Sequence, residues 1–362
     1  MLASHDGLIV HSEAPLNAET PLGRLRESFL TPQRSFYVRS HGEIPELDGA
    51  RHEIAVDGLV QRPLRLAVAQ LQARFAHRTV TAAMQCAGNR RADLHRVAPV
   101  LGDPWEAGAI GNAAWTGVRL ADLLQAAGAG GGPALHVAFG AADWCEKDGK
   151  RFRYGASIPM GKAMAPEVLL AWAMNGEPLA PEHGYPLRVV APGYAGVRSP
   201  KWLAGITVQD APSANPMQAD DYKLFPPGVS EATADPAHGM TINDMPLNAA
   251  ICEPAAHAAL PAGRVAVRGY AVATARPIAR VDVSADGGRT WQQAQLDPAE
   301  SPWSWVFWQA AVELAPGEHV LCVRAWDGAG QTQPALPEDT WNHKGYLSAA
   351  WHRVAVQVRP GG

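Results

Sequence analysis

Val80-Thr81-Ala82-Ala83-Met84-Gln85-Cys86-Ala87-Gly88-Asn89-Arg90-Arg91 is the stretch on which the reading of this 362-residue chain turns. Its apolar start reads as a strand, and Cys86 stands where that strand ends. Small residues and then Arg90 and Arg91 follow. Guanidiniums near a thiol favour the thiolate, the form that binds metals or attacks electrophiles. The same residues also fit a satisfied core thiol beside a solvated arginine pair. A phosphatase loop needs an arginine six positions after its cysteine, and Ala92 stands there. The CGSCW-type context of a papain-like protease is missing as well.

Working outward, Leu135-His136-Val137-Ala138-Phe139 also reads as a strand. The runs GVRLADLLQAAG (117–128) and MGKAMAPEVLLAWAMNG (160–176) carry apolar residues at helical spacing. Residues 1–223 are therefore expected to be mixed α and β. From 224 to 362 the pattern changes to short alternating runs, GRVAVRGYAV (263–272), ARVDVSADGGRTW (279–291), WSWVFWQAAVEL (303–314), EHVLCVRAWD (318–327) and WHRVAVQV (351–358). That spacing predicts an antiparallel, immunoglobulin-like β-sandwich and makes the whole chain α+β. Asp286-Gly287-Gly288 predicts a hairpin turn, because these residues tolerate positive φ. The polar, Pro- and Gly-rich run DYKLFPPGVSEATADPAHG (221–239) marks the expected boundary. The AGAGGG loop (127–132) has no phosphate-binding pattern.

Lys and Arg number 31 against 35 Asp and Glu, a net charge of −4 with no basic block that could follow a phosphate backbone. Nucleic acid is not an expected partner. No run approaches the ~18 to 20 apolar residues that span a bilayer, and MLASHDGLIVHSEAPL (1–16) lacks a basic start followed by an apolar run. No membrane partner and a cytoplasmic location are expected, or a periplasmic one if a leader has been removed. Cys86, Cys145, Cys252 and Cys322 are scattered, which fits a reducing compartment better than a disulfide framework or a zinc site. The absence of CxxCH argues against covalently attached haem.

The CAGNRR segment resembles the signature of the sulfite oxidase family, in which this cysteine is the protein thiolate on molybdenum. Further stretches match that family in order: FYVRSH (36–41), YGASIP (154–159), HGYPLRVVAPGYAGVRSPKWL (183–203), DYK (221–223) and WNHKGYLSAAWHRV (341–354). The resemblance implies a molybdenum cofactor domain over 1–223 and a dimerisation domain over 224–362, hence a homodimer. It implies molybdenum–molybdopterin as cofactor, with Cys86 supplying a soft thiolate. Arg39 and Arg91 correspond to arginines of an oxyanion pocket, Tyr222 to a tyrosine beside the reacting centre, and Trp105 to a pocket wall. The implied cofactor contacts are Tyr37, Val38, Arg39, Ser40, His41, Asp143, His183, Arg188, Ser199, Pro200 and Lys201. Two positions depart from the family: Ser40 replaces an asparagine, and Lys344 replaces an arginine that reaches into the substrate pocket. Lysine keeps the charge but lacks the planar fork.

The chemistry implied is oxidation of sulfite, or a related sulfur oxyanion, to sulfate, with two electrons passed to oxygen or to a separate acceptor such as a cytochrome. No haem motif or cytochrome b5-like HPGG segment is present in the chain. Nitrate reduction and sulfane-sulfur dehydrogenation are the rival enzymatic readings, the second kept open by Lys344. The immunoglobulin-like half raises a third reading, a non-catalytic binding or adhesion module.

Overall fold

A computed structural model describes residues 7–360, and in it the run leading to Cys86 is the strand His77–Gln85, exposed at its start and buried at its end. Expectations about residues 1–6 and 361–362 lie outside the described residues. The strand pairs antiparallel with Ile110–Arg119, which pairs with Leu169–Met174, flanked in turn by Glu177–Pro178 and Arg188–Val190. A second sheet runs in the order Leu64–Ala67, Glu53–Gly58, Leu203–Gln209, His136–Lys147, Lys150–Pro159, with one parallel pair at its centre. Val118, Leu124, Phe139, Ile158, Leu170, Val189 and Ile206 belong to the core cluster that joins these sheets. Each such side chain contributes roughly 1.5 to 3 kcal/mol on burial. A third, small sheet of Ile9–Glu13, Leu16–Glu19 and Val38–Arg39 lies beside them.

The run 117–128 forms the expected helix from Leu120 to Ala127, ending on Gly128 in the left-handed region. The run 160–176 does not. Its helix is only Met160–Ala163, and Leu169–Met174 is a strand. Pro166 lacks a donor and disfavours helix at the residue before it. Leu169, Leu170 and Ala171 then pair on both sides and are buried, and a doubly covered strand shows a continuous apolar run that periodicity cannot separate from a buried helix.

The second half is a two-sheet sandwich. One sheet orders Asn248–Glu253, Gly263–Val272, Val306–Leu314 and Gln295–Leu296; the other orders Ala259–Pro261, His352–Arg359, Gly317–Asp327, Ile278–Ser284 and Gln292–Gln293. The hairpin at Asp286-Gly287-Gly288 forms as expected. Both glycines have positive φ, and the Asp286 carboxylate accepts from the Arg289 and Thr290 amides and from the Thr290 hydroxyl. The polar run after residue 221 is not a free linker, for Lys223–Leu224 pairs with Met240–Thr241.

The two halves are tied by buried polar contacts. The Tyr270 hydroxyl donates to the Ala107 carbonyl at 2.9 Å and Trp305 Nε1 to the Phe29 carbonyl at 3.1 Å. Arg90 corrects the expectation of two arginines beside the thiol. Its guanidinium is buried against Asp93 at 2.8 Å and donates to Asn248 Oδ1, also at 2.8 Å, in the second half.

His352 stands close to that junction, its Nδ1 accepting from the Ile251 amide at 3.1 Å. Burial and the charge of Arg90 pull it down to about 3 from an ordinary 6.5, so the unfolded chain binds the extra proton between those values. Stability present above pH 6.5 is therefore lost as pH falls towards 3. Urea unfolding is expected to show about 2 kcal/mol less stability at pH 5 than at pH 7 from this group, and His352→Gln is expected to remove that share of the slope.

Candidate active site

Cys86 closes its strand with its amide donating to the Ala109 carbonyl at 2.9 Å, and the Gly88 amide reaches its Sγ at 3.4 Å. The thiol forms part of the wall of an inner cavity of about 650 Å³. Tyr37, Arg39, Ser40 and His41 line it from the short strand after Phe36, and Asp143 and Tyr154 from the register shift within one hairpin. His183, Arg188, Ser199, Pro200 and Lys201 complete it from the run 183–203.

These side chains are fixed by one another. Asn17 Oδ1 accepts both from Arg39 Nη1 at 3.2 Å and from the Ser40 amide at 2.9 Å. Lys201 Nζ donates to Ser40 Oγ at 2.9 Å and to the Glu182 carbonyl at 2.8 Å. Arg188 donates to the carbonyls of His183 and Ser199 at 2.9 and 3.1 Å. Ser40, standing in the asparagine position, thus still makes a hydrogen bond through its hydroxyl.

The electrostatics are those of a buried chamber rich in cations. Burial draws the Lys201 ammonium down to about 7, with the Arg188 charge acting the same way, and burial raises the Asp143 carboxyl to about 6. His41 is held well below its ordinary value by burial and by the charges of Arg39 and Lys201, so it is neutral. It is hydrogen-bonded through Nε2 to the Tyr222 hydroxyl at 2.6 Å, and burial lifts that phenol to about 12. Tyr222 and Trp202 both hold left-handed backbone angles, φ +52 and +53, which strain a non-glycine residue and are common where a site over-determines its geometry.

Arg39, His41 and Tyr222 also face a wider outer cleft of about 1060 Å³. Its other walls include Arg91, Lys147 and Asp221 from the first half and Lys344 and Tyr346 from the second. Arg91 donates to the Lys344 carbonyl at 3.2 Å and to the Asp103 carbonyl at 2.9 Å. Gly345 has φ +61, and a Cβ there would come within 2.5 Å of the Arg91 side chain. Asp221 bridges Lys147 at 2.7 Å and Lys344 at 3.5 Å.

Two buried carboxylate oxygens on the inner wall, Asp143 Oδ1 and Glu182 Oε2, have no hydrogen-bond partner among the described residues. Unpaired acceptors of this kind fit a ligand rich in N–H groups, and the lysine and serine fit a phosphate. Among the described residues no group of three or more His, Cys, Asp and Glu could hold a metal. The donor set thus suits a metal that takes one soft thiolate from the protein and its remaining ligands from an organic chelator.

Residues 41–217 match the oxidoreductase molybdopterin binding domain and residues 239–359 the Mo-co oxidoreductase dimerisation domain. Sulfite oxidase from Gallus gallus is 42% identical over 96% of this chain and 78% of its own length, and that from Arabidopsis thaliana is 37% identical over 98% and 95%. The chain belongs to the sulfite oxidase family. The sulfane dehydrogenase SoxCD from Paracoccus pantotrophus superposes with a TM-score of 0.81 at 27% identity, covering 96% of this chain and 85% of that one. Nitrate reductase from Hordeum vulgare is 37% identical over 95% of this chain and 41% of its own length.

Within this family member, two of the residues singled out from sequence do not line either cavity. Trp105 is wholly buried behind the Cys86 turn, its carbonyl accepting from the Ala92 amide and its ring edge-on to His11. Wholly buried, the indole presents no surface to either cavity, although its Nε1 finds no hydrogen-bond partner among the described residues. Val38 is likewise buried, and alternation along its strand turns its side chain to the core while Tyr37 and Arg39 line the cavity. Asn17, Tyr154, Glu182 and Asp221 were not recognised in the sequence. Tyr154 and Asp221 lie inside matched motifs, while Asn17 has no local signal because its partners are 22 and 23 residues away.

Asn17→Ala leaves Arg39 and the Ser40 amide without their shared acceptor. A loss of about 1 to 3 kcal/mol in urea unfolding is expected, together with a lower molybdenum content in the purified protein.

Proposed function

We propose that this protein oxidises sulfite to sulfate at a molybdenum–molybdopterin centre held by Cys86. The observation that carries the reading is the juxtaposition of one buried thiol with unpaired acceptors and a cluster of buried cations, in a chain whose full-length relatives include sulfite oxidases. The bound cofactor supplies two-electron, oxygen-atom-transfer chemistry.

The side chains perform the remaining tasks. Cys86 offers the soft thiolate. Ser40, His41, His183, Arg188, Ser199, Pro200 and Lys201 would hold the pterin and its phosphate, and the unpartnered Asp143 Oδ1 would offer an acceptor to N–H groups of that ligand. Arg39, at the junction of the two cavities, and Arg91, in the outer cleft, attract and orient the dianion through N–H donors. The Tyr222 hydroxyl, bonded to a neutral His41, holds a proton at the junction of inner cavity and outer cleft. Lys344 adds charge from the second half, partly offset by Asp221.

The two electrons released by sulfite oxidation would pass to a separate acceptor, oxygen or a cytochrome. The residues divide into a catalytic unit over 1–223 and a dimerising unit over 224–362, which makes the working protein a homodimer. The four cysteines, all free and buried, agree with work in a reducing compartment such as the cytoplasm.

A sulfane-sulfur substrate is the second reading, favoured by the likeness to the sulfane dehydrogenase and by a lysine at 344. Steady-state assays with sulfite, nitrate and a protein-bound persulfide, with ferricyanide as oxidant, separate the possibilities. Sulfite is expected to be turned over fastest. Cys86→Ser is expected to abolish that turnover while leaving the melting temperature of the apoprotein within a few degrees, and undiminished activity in that variant refutes the assignment. Lys344→Arg restores the fork and is expected to lower KM for sulfite by about threefold to tenfold with little change in kcat.

A further inference from the structure

Arg198 is wholly enclosed, yet it lines neither cavity and has no ion-pair partner among the described residues. It sits in the turn Gly196–Arg198, inside the run that builds much of the inner wall. Nε donates to the Ile242 carbonyl at 2.9 Å and Nη1 to Gln218 Oε1 at 2.9 Å, while Nη2 finds no partner. Both acceptors are uncharged. A buried guanidinium without a carboxylate is costly, so its retention calls for a reason beyond cohesion.

The reason is visible in what Ile242 does next. Its amide donates to the Tyr222 carbonyl at 2.9 Å, so one residue links the guanidinium to the strained tyrosine. From Tyr222 the hydroxyl reaches His41, and the His41 ring packs on Tyr154 with centroids 5.2 Å apart. The Tyr154 hydroxyl donates to the Val197 carbonyl at 2.7 Å, which is the residue before Arg198. The contacts therefore close into a ring: Arg198, Ile242, Tyr222, His41, Tyr154, Val197. On its far side Gln218 Oε1 is also held by the Ser157 amide at 2.6 Å, which anchors the guanidinium to the sheet.

We infer that Arg198 is a positioning residue for Tyr222, fixing Ile242 so that the left-handed backbone persists and the phenol stays aimed at His41. The role rests on the reading of Tyr222 as a participant in turnover. Lysine at 198 keeps the charge but replaces the planar guanidinium, whose separate Nε and Nη1 meet Ile242 and Gln218, with a single ammonium.

The test is a double-mutant cycle on molybdenum-loaded holoenzyme: wild type, Arg198→Lys, Tyr222→Phe and the pair, assayed with sulfite and ferricyanide. Metal content and melting temperature are measured on each. Arg198→Lys is expected to lower kcat by about tenfold to a hundredfold, to change KM by less than about threefold, and to move the alkaline limb of the kcat–pH profile. In the Tyr222→Phe background the same change is expected to cost less than about twofold, since the group it positions is gone. Equal losses in both backgrounds overturn the proposal, as does an effect confined to KM. Should Arg198→Lys fail to hold the metal, Gln218→Met removes the Nη1 bond together with the Gln218 bonds to the Ser157 amide and hydroxyl but keeps the Arg198–Ile242 bond, and is expected to give a smaller kcat loss of the same kind. An unchanged kcat there also overturns it. If wild type prefers nitrate or a persulfide, the functional reading fails, and the cycle run on that substrate still decides the role of Arg198.

Discussion

The Cys86 turn is held to the second half through one buried charge. Arg90 takes a left-handed backbone angle, φ +64, its amide donates to the Glu106 carbonyl, and its guanidinium binds Asp93 and Asn248. Removing one partner from such a pair leaves an uncompensated charge in a low-dielectric interior, which is among the more destabilising changes a protein can suffer. The same linkage sets where the thiol points. Because the turn from Cys86 to Arg91 is short, fixing Arg90 outward on the sandwich leaves Arg91 to face the outer cleft and Cys86 to face the inner one.

The site concentrates cations in a buried place. Arg188 and Lys201 are both drawn below their ordinary values by burial, and the Lys201 ammonium is met by carbonyl and hydroxyl oxygens. Such a chamber is electrostatically incomplete by itself. A polyanionic cofactor and an anionic substrate complete it, so the groups that lower stability in the empty chain become the source of binding energy when it is filled.

Much of this was legible in the sequence. Alternating runs and the Asp-Gly-Gly turn sufficed for the sandwich, since one face of each strand is buried and the other is wet. The motif residues from Tyr37 to Lys201 come together because they sit at strand ends and in the loops that follow. What escaped was of two kinds. Leu169–Met174 is buried on both sides and so carries no periodicity, and it passed for a helix. The directions of Arg90, Trp105 and Val38 depend on packing with residues far away in the chain, which a local reading of charge or size does not contain. Asn17 and Arg198 escaped for the same reason, their partners being fixed only by the tertiary fold.

One consequence follows from the loop that carries Lys344 and Tyr346. It belongs to the sandwich half, yet it furnishes one bank of the outer cleft and supports Arg91 from below. The doorway is therefore jointly owned. Recombination that exchanges the sandwich between relatives carries this bank of the cleft with it, while Arg39, Arg91 and the inner cavity stay with the first half.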